Sequence, residues 1–221
     1  MSVDIEGKGD TVRQHVDRVF GERADSAGLL VSVVGFDGSG KTTQLEALAT
    51  HLRSEGREVV ETRQPSDWYR QQDIVNTFHF NGGSVEEARI LALMAAADRL
   101  LHVRNVIEPA LARGAAVLCD RYVYATYGVF VHRGIEASFL TEINAGIPRP
   151  DHAIYLRASA SELAERLRLR DGDHLQFEER DLRRIESIIA TYECLGPDLI
   201  RVNASDPIED VTASILEATG L

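Results

Sequence analysis

Several sequence features are scarce or absent in this chain, and each absence excludes a class of protein. Its 221 residues include two cysteines, Cys119 and Cys194, which are too few for a disulfide-rich scaffold, so we expect reduced thiols and a cytoplasmic location. No apolar run reaches the roughly 18 residues of a membrane span, and the polar N-terminus is unlike a secretory signal. The net charge of −11 disfavours binding to nucleic acid or to an anionic membrane.

From Leu29 onwards, short apolar runs alternate with longer segments of helical periodicity. The apolar runs predict strands at residues 29–34, 58–62, 115–119, 153–156 and 199–202. The helical segments are 41–54, 85–106, 161–170, 180–195 and 208–219, and Ser84 with Glu87 forms a capping box before the second of them. Uniformly apolar strands separated by helices predict an α/β fold, a five-stranded parallel sheet flanked by helices on both faces.

Residues 1–28 differ from the remainder of the chain and predict a separate amphipathic extension. Helical spacing is found at Val12, Val16, Val19 and Phe20. Asp10 is a candidate N-cap for a helix over residues 11–20. The extension is expected to pack either on the domain formed by residues 29–221 or on a partner chain.

The first predicted strand runs directly into the motif G-x-x-x-x-G-K-T, from Gly35 to Thr42. Glycines let such a loop turn its backbone N–H groups towards phosphate, and the following helix adds its dipole. Lys41 is expected to reach the β- and γ-phosphates of ATP, and the Thr42 hydroxyl to bind Mg²⁺. The sequence therefore predicts a P-loop NTPase fold, with ATP held by Gly35, Phe36, Asp37, Gly38, Ser39, Gly40, Lys41, Thr42 and Thr43.

Asp37 is unexpected inside a loop that binds phosphate, because its carboxylate repels the ligand. Two functional interpretations are open: it orients a hydroxyl group of a second substrate, or it pairs with an arginine. A solvated aspartate in a turn is the alternative without a function.

Arginines follow two of the other predicted strands. Arg63 and Arg121 stand at strand ends, where parallel α/β sheets bind their ligands, and Arg99 lies on the long helix between them. Arginine suits a site that holds phosphate in two places. Asp120 is expected either to hold Mg²⁺ through water or to fix Arg121.

A second basic cluster comprises Arg166, Arg168 and Arg170. A mobile lid over residues 166–180 would bring positive charge to the transferring phosphoryl group and exclude water. An exposed, charged helix end is the alternative interpretation.

The segments GFDGSGKTTQ, RQP, AADR and CDRY occur in this order, and residues 29–221 resemble thymidylate kinases. The resemblance implies transfer of the γ-phosphate of ATP to a nucleoside monophosphate, with dTMP the expected acceptor, by a homodimeric enzyme. It implies that Arg121 holds the acceptor phosphate, helped by Arg63, and that Arg99 approaches the base. Because Ser39 is not basic, a lid arginine is expected to act. The implied catalytic residues are Lys41, Asp37, Arg121, Arg166 and Arg170, and Tyr122 completes the acceptor site.

The base-binding half departs from the family pattern. Ala95 stands where the family has an aromatic residue, Ala125 replaces a serine, and Val129-Phe130 replaces a tyrosine-glutamine pair. Four aromatic residues are candidates to compensate: Phe78, Phe80, Tyr124 and Tyr127. Two alternatives remain open: a related kinase with another small acceptor, or an ATP-binding switch that signals through residues 1–28.

Overall fold

The computed structural model describes residues 6–23, 26–196 and 199–221. Its strands are β1 Phe20–Gly21, β2 Leu29–Val34, β3 Val59–Arg63, β4 Ala116–Asp120, β5 Ile147–Pro148, β6 His152–Arg157 and β7 Leu199–Asn203. Its helices are α1 Glu6–Asp17, α2 Lys41–Ser54, α3 Asp67–Arg70, α4 Asp73–Asn81, α5 Val85–His102, α6 Glu108–Ala112, α7 Val123–His132, α8 Ala137–Asn144, α9 Ala160–Asp171, α10 Leu182–Glu193 and α11 Ile208–Thr219.

Five strands form one parallel sheet in the order β3-β4-β2-β6-β7, which confirms the predicted architecture. The central strand β2 is buried along Leu30–Val34, as expected for a strand with helices on both faces. The register pairs Asp120 with both Val33 and Arg63. The carboxyl ends of three neighbouring strands therefore meet at one edge of the sheet, where ligands bind in such folds.

The long helix α5 begins at Val85, as the sequence predicts, but its α-helical part ends before the predicted residue 106. Ser84 accepts from the backbone N–H of Glu87, whose carboxylate accepts from Ser84 in return, which confirms the capping box. The α-helix ends at His102, and a π-helical turn, Val103–Ile107, continues the chain. None of the helices in the described ranges is long and apolar enough to cross a membrane.

The N-terminal segment packs on its own domain. Val12, Val16 and Val19 are buried in the common core, and the Thr141 hydroxyl donates to the backbone oxygen of His15 at 3.0 Å. Two expectations for this segment are wrong. The helix begins at Glu6, so position 10 lies within it and does not cap it.

The segment also stops being helical before its predicted end. The helix ends at Asp17, because the backbone of Phe20–Gly21 pairs with Ile147–Pro148 in a short parallel ladder. This pairing across the chain overrides the local helical spacing that extends to Phe20. The predicted loop over residues 24–28 lies partly outside the described residues.

Candidate active site

The loop between β2 and α2 is tightly curled by its glycines. Gly35, Gly38 and Gly40 have φ angles of 152°, 83° and 88°, in a region that other residues rarely adopt. A Cβ atom on Gly35 would lie 2.6 Å from the Ser39 hydroxyl. A curled loop that leads into a helix N-terminus has the geometry that binds phosphate through backbone N–H groups.

Asp37 lies between two cations. A nitrogen of Arg121 donates to its carboxylate, and the Lys41 amine lies 3.4 Å from the same oxygen. Burial alone would raise the pKa of Asp37, but the charges of Arg121 and Lys41 together outweigh it and hold the pKa well below its usual value. Of the two functional interpretations of Asp37, the structure therefore shows the pairing with an arginine.

Arg121 reaches this loop because of an unusual backbone conformation. Its φ angle is 66°, a positive value found at no other described non-glycine residue. Its N–H donates to the backbone oxygen of Val33 at 2.8 Å, so the chain turns sharply as soon as β4 ends. Such a conformation costs about 1–3 kcal/mol, and proteins keep it mainly at functional sites.

Thr42 and Asp120, the predicted metal ligands, lie in the same groove. This outer groove is lined by residues that include Thr42, Arg63, Trp68 and Asp120. The Oδ1 atom of Asp120 is buried and has no hydrogen-bond partner among the described residues. Mg²⁺ is commonly bound by one or two protein oxygens together with substrate phosphates and water. The two side chains fit that arrangement.

A cavity of about 210 Å³, the main cavity, begins at Asp37 and Arg121. One wall is α7 with its flanking residues, which contribute one helix face: Tyr122, Ala125, Thr126, Val129, Phe130 and Arg133. Another wall is α5, through Ala95 and Arg99. The roof is the loop segment 176–179 that follows α9. The phosphate loop and a second binding space are therefore joined at Asp37.

Arg99 is held rigidly in the wall of the main cavity. It is buried and donates to Gln64 at 3.0 Å, to Thr126 at 2.6 Å and to Asn144. The Gln64 amide nitrogen in turn lies 3.0 Å from the ring of His102. Every nitrogen of the Arg99 guanidinium thus has a protein partner, which fixes the side chain in one orientation.

Arg63 lies in the outer groove, and its neighbour in sequence, Gln64, lies in the main cavity. The Arg63 guanidinium pairs with the Asp67 carboxylate and is 53% exposed. Successive residues of an extended chain point to opposite sides, which explains the separation. This placement gives no support to the expectation that Arg63 helps to hold the acceptor phosphate, which stays a prediction.

Arg70, unlike Arg63, lines the main cavity. Its Nε atom donates to the backbone oxygen of Pro65 at 2.8 Å, which directs the side chain. Sequence reasoning missed this residue, because its position depends on the turn between β3 and α3 and no local pattern marks it.

The aromatic residues of the main cavity differ from those expected. None of the four candidates, Phe78, Phe80, Tyr124 and Tyr127, is among the residues that line it. The lining includes Phe36, Tyr69, Tyr122, Phe130 and Tyr192. The Tyr122 hydroxyl donates to the backbone oxygen of Pro148 at 3.0 Å, so Tyr122 offers the cavity its ring and not its hydroxyl.

The three arginines of the predicted lid have different surroundings. Arg166 donates to the backbone oxygen of Gly38 at 3.4 Å, so it touches the phosphate loop. Arg170 pairs with Asp171 at 2.6 Å, and its charge is one of those that lower the pKa of Asp37. Arg168 is exposed. The structure thus brings Arg166 and Arg170 near the loop.

The roof of the main cavity is attached at two points. The backbone N–H of Phe177 donates to the backbone oxygen of His79 at 2.8 Å. Glu178 accepts from Arg133 at 2.6 Å in an ion pair whose side chains are 10% and 6% exposed. The Arg133 guanidinium also lies 4.5 Å from the Phe78 ring. Sequence reasoning missed this pair, because its members are far apart in the chain.

We expect His79 to make the fold less stable at acid pH. Burial, and after it the charge of Arg133, lower its pKa to about 4, against about 6.5 in an unfolded chain. Between these values the unfolded chain binds a proton that the folded chain does not, so stability falls as the pH drops from about 6.5 to about 4. We expect a loss of at most about 3 kcal/mol from this residue.

Urea unfolding at pH 7 and pH 4.5 measures this effect. The difference between the two pH values should be smaller in His79→Asn than in the unmodified protein, since asparagine does not titrate. Equal differences in both proteins would contradict the assignment to His79.

Comparison with known proteins gives a consistent result. A family model described as thymidylate kinase matches residues 33–215. A probable thymidylate kinase of Pyrococcus abyssi is 36% identical over 195 residues, covering 86% of this chain and 94% of the relative. A probable thymidylate kinase of Pyrococcus horikoshii is 33% identical with the same coverage. The thymidylate kinase of Desulfotalea psychrophila is 30% identical, covering 87% of this chain and 95% of the relative.

Proposed function

This chain belongs to the thymidylate kinase family, and on that premise we propose that it transfers the γ-phosphate of ATP to dTMP, giving ADP and dTDP. The observation that carries the proposal is the junction of the phosphate loop with the main cavity, where Asp37 and Arg121 belong to both. A second substrate in the main cavity would meet the end of a bound ATP there.

The donor half of the site is the loop Gly35–Thr43. Its backbone N–H groups would hold the phosphates of ATP, and Lys41 would neutralise their charge once it exchanges its bond to the backbone oxygen of Phe36 for a phosphate oxygen. Thr42 and Asp120 would hold Mg²⁺, which neutralises charge on the phosphates.

The acceptor half is the main cavity. Arg121 and Arg70 would hold the phosphate of dTMP, while Tyr122 and the fixed Arg99 border the rest of the nucleotide. One oxygen of that phosphate forms a bond to the γ-phosphorus as the bond from this phosphorus to the bridging oxygen of ADP breaks. Catalysis consists of positioning and charge neutralisation. Arg166 and Arg170 would supply the positive charge from the lid.

A coupled assay of ADP formation tests the proposal. The purified protein is given ATP and Mg²⁺ with dTMP, dUMP, dCMP, dGMP, AMP or no acceptor. Turnover that depends on dTMP supports the proposal. Turnover with another acceptor would favour the alternative kinase, to which the small side chains of Ala95 and Val129 in the main cavity point. Equal turnover with and without every acceptor would favour the switch.

We also propose that the protein is a homodimer formed through α5. The helix exposes apolar side chains at spacings of three, four and three residues, at Ile90, Leu93, Ala97 and Leu100. This is the spacing of an interface between two helices. Replacing both Leu93 and Leu100 with aspartate should convert a dimer into a 24.4 kDa monomer in sedimentation velocity. A dimer that survives this change would have its interface elsewhere.

We further propose that the protein is located in the cytoplasm. It is supported by the two cysteines, which are both free thiols in the structure, as is usual in a reducing compartment.

A further inference from the structure

Tyr69 is a buried aromatic residue in the wall of the main cavity. It is 3% exposed and lines the cavity from α3. In the described ranges, no ring stack, cation contact or hydrogen bond engages its ring or its hydroxyl. A buried tyrosine normally finds a partner for its polar end. The free surface of Tyr69 is therefore available to a molecule in the cavity.

Two other aromatic rings that line this cavity are already engaged. The Phe130 ring lies 5.6 Å from the guanidinium of Arg133. Tyr192 stacks on Tyr155 with 5.2 Å between ring centroids. Tyr69 thus differs from these two rings in having no ring stack, cation contact or hydrogen bond among the described residues, although it packs in the core.

The residue facing the cavity from α5 is small. Ala95 lines the cavity and is 1% exposed, so α5 leaves space where a larger side chain would fill it. The backbone N–H of Ser66 donates to the carboxylate of Asp98 at 2.7 Å, which fixes the start of α3 on α5, one helical turn from Ala95. Tyr69 and Ala95 therefore belong to two helices that are fixed to each other, and both line the main cavity.

The charges around Tyr69 locate it along the cavity. Burial raises the pKa of its hydroxyl to about 12, and the nearby cations that oppose this include Arg133, Arg70 and Arg99. Arg70 is close to Arg121 and Asp37, at the proposed phosphate site. Arg99 is fixed by Gln64, Thr126 and Asn144. Tyr69 is near both arginines, so its ring is within reach of the base of a nucleotide whose phosphate meets Arg121.

We propose that Tyr69 is a substrate-binding residue, whose ring stacks on the base of the acceptor nucleotide in the slot that Ala95 leaves open. The inference rests on the proposed function. It assigns base recognition to α3, a segment that the sequence did not mark. Aromatic rings suit this task because every base offers a flat face to stack on.

Exchanging the large and the small side chain between positions 69 and 95 tests the proposal. In Tyr69→Leu, which loses the aromatic face and keeps an apolar side chain, the KM for dTMP should rise about tenfold, as loss of one stacking partner predicts. In Ala95→Phe the new ring fills the slot, and KM should rise at least as much. In the double variant Tyr69→Ala, Ala95→Phe, the ring enters from the other side, and KM should recover towards that of the unmodified protein. The KM for ATP should stay the same in all three.

Trp68→Leu is the matched control, since Trp68 lies next to Tyr69 but is 49% exposed and lines the outer groove. It should leave the KM for dTMP unchanged. A Tyr69→Leu protein with an unchanged KM, or a double variant worse than both single variants, would overturn the inference while dTMP-dependent turnover upholds the proposed function. If the unmodified protein lacks that turnover, the proposed function fails, and this failure is seen before any variant is made.

Discussion

Replacing Arg121 with methionine is expected to lower kcat/KM for dTMP by about 10³ or more, while ATP still binds. Loss of a single donor that stabilises a transition state costs about 10²–10³ in rate, and Arg121 is the residue that we propose holds the acceptor phosphate. Its loss also leaves the Asp37 carboxylate, whose pKa is held low by Arg121 and Lys41, facing the phosphates with one cation fewer. Steady-state kinetics with varied dTMP, and equilibrium binding of ATP, measure the two effects.

Arg63→Met is the control for this experiment. Arg63 ends the strand next to that of Arg121, and the two strands are in register, but its side chain lies in the outer groove. We expect less than a fivefold change in kcat/KM, on the order of the effect of a surface charge. A loss in Arg63→Met as large as that in Arg121→Met would show that the acceptor phosphate lies between them and not in the main cavity.

Replacing Arg133 with methionine is expected to destabilise the fold by about 3–5 kcal/mol. Arg133 and Glu178 are 6% and 10% exposed, so the change leaves a carboxylate buried without its cation. For a chain of this size the melting temperature should fall by about 10 °C. Thermal and urea unfolding at pH 7 measure the loss.

Two further variants separate the effect of burying an ion pair from the effect of leaving one of its charges unpaired. Arg53 and Glu61 form an ion pair at 2.7 Å with side chains 52% and 40% exposed, and Arg53→Met should cost less than about 0.5 kcal/mol. The double variant Arg133→Met, Glu178→Leu removes both buried charges and should recover most of the stability. A double variant as unstable as Arg133→Met alone would show that packing, and not the unpaired charge, causes the loss.

The features that the sequence predicted correctly are set by local pattern. The apolar runs that form β2 and its neighbours specify a parallel sheet because strands buried on both faces are apolar throughout. The motif at Gly35–Thr42 specifies its own backbone, since glycine tolerates the required φ angles far better than other residues do. The capping box at Ser84 is likewise complete within four residues.

The features that the sequence could not predict depend on distant contacts or on the alternation of side chains along an extended chain. Arg63 and Gln64 enter different spaces because successive residues at the end of β3 point to opposite sides. The helix of the N-terminal segment ends early because Phe20 pairs with Ile147. Arg133 meets Glu178 only after the loop that follows α9 has folded back onto α7.

One connector carries both the end of the predicted lid and the roof of the main cavity. Arg170 stands near the C-terminal end of α9, and Glu178 lies in the loop after it, so we expect the two residues to move together. An acceptor that stabilises the position of Glu178 is therefore expected to stabilise the position of Arg170 as well. By thermodynamic reciprocity, ATP should then tighten the binding of the acceptor by the same factor as the acceptor tightens the binding of ATP. We therefore expect ATP bound alone to order the predicted lid less, and its hydrolysis by water to be slow.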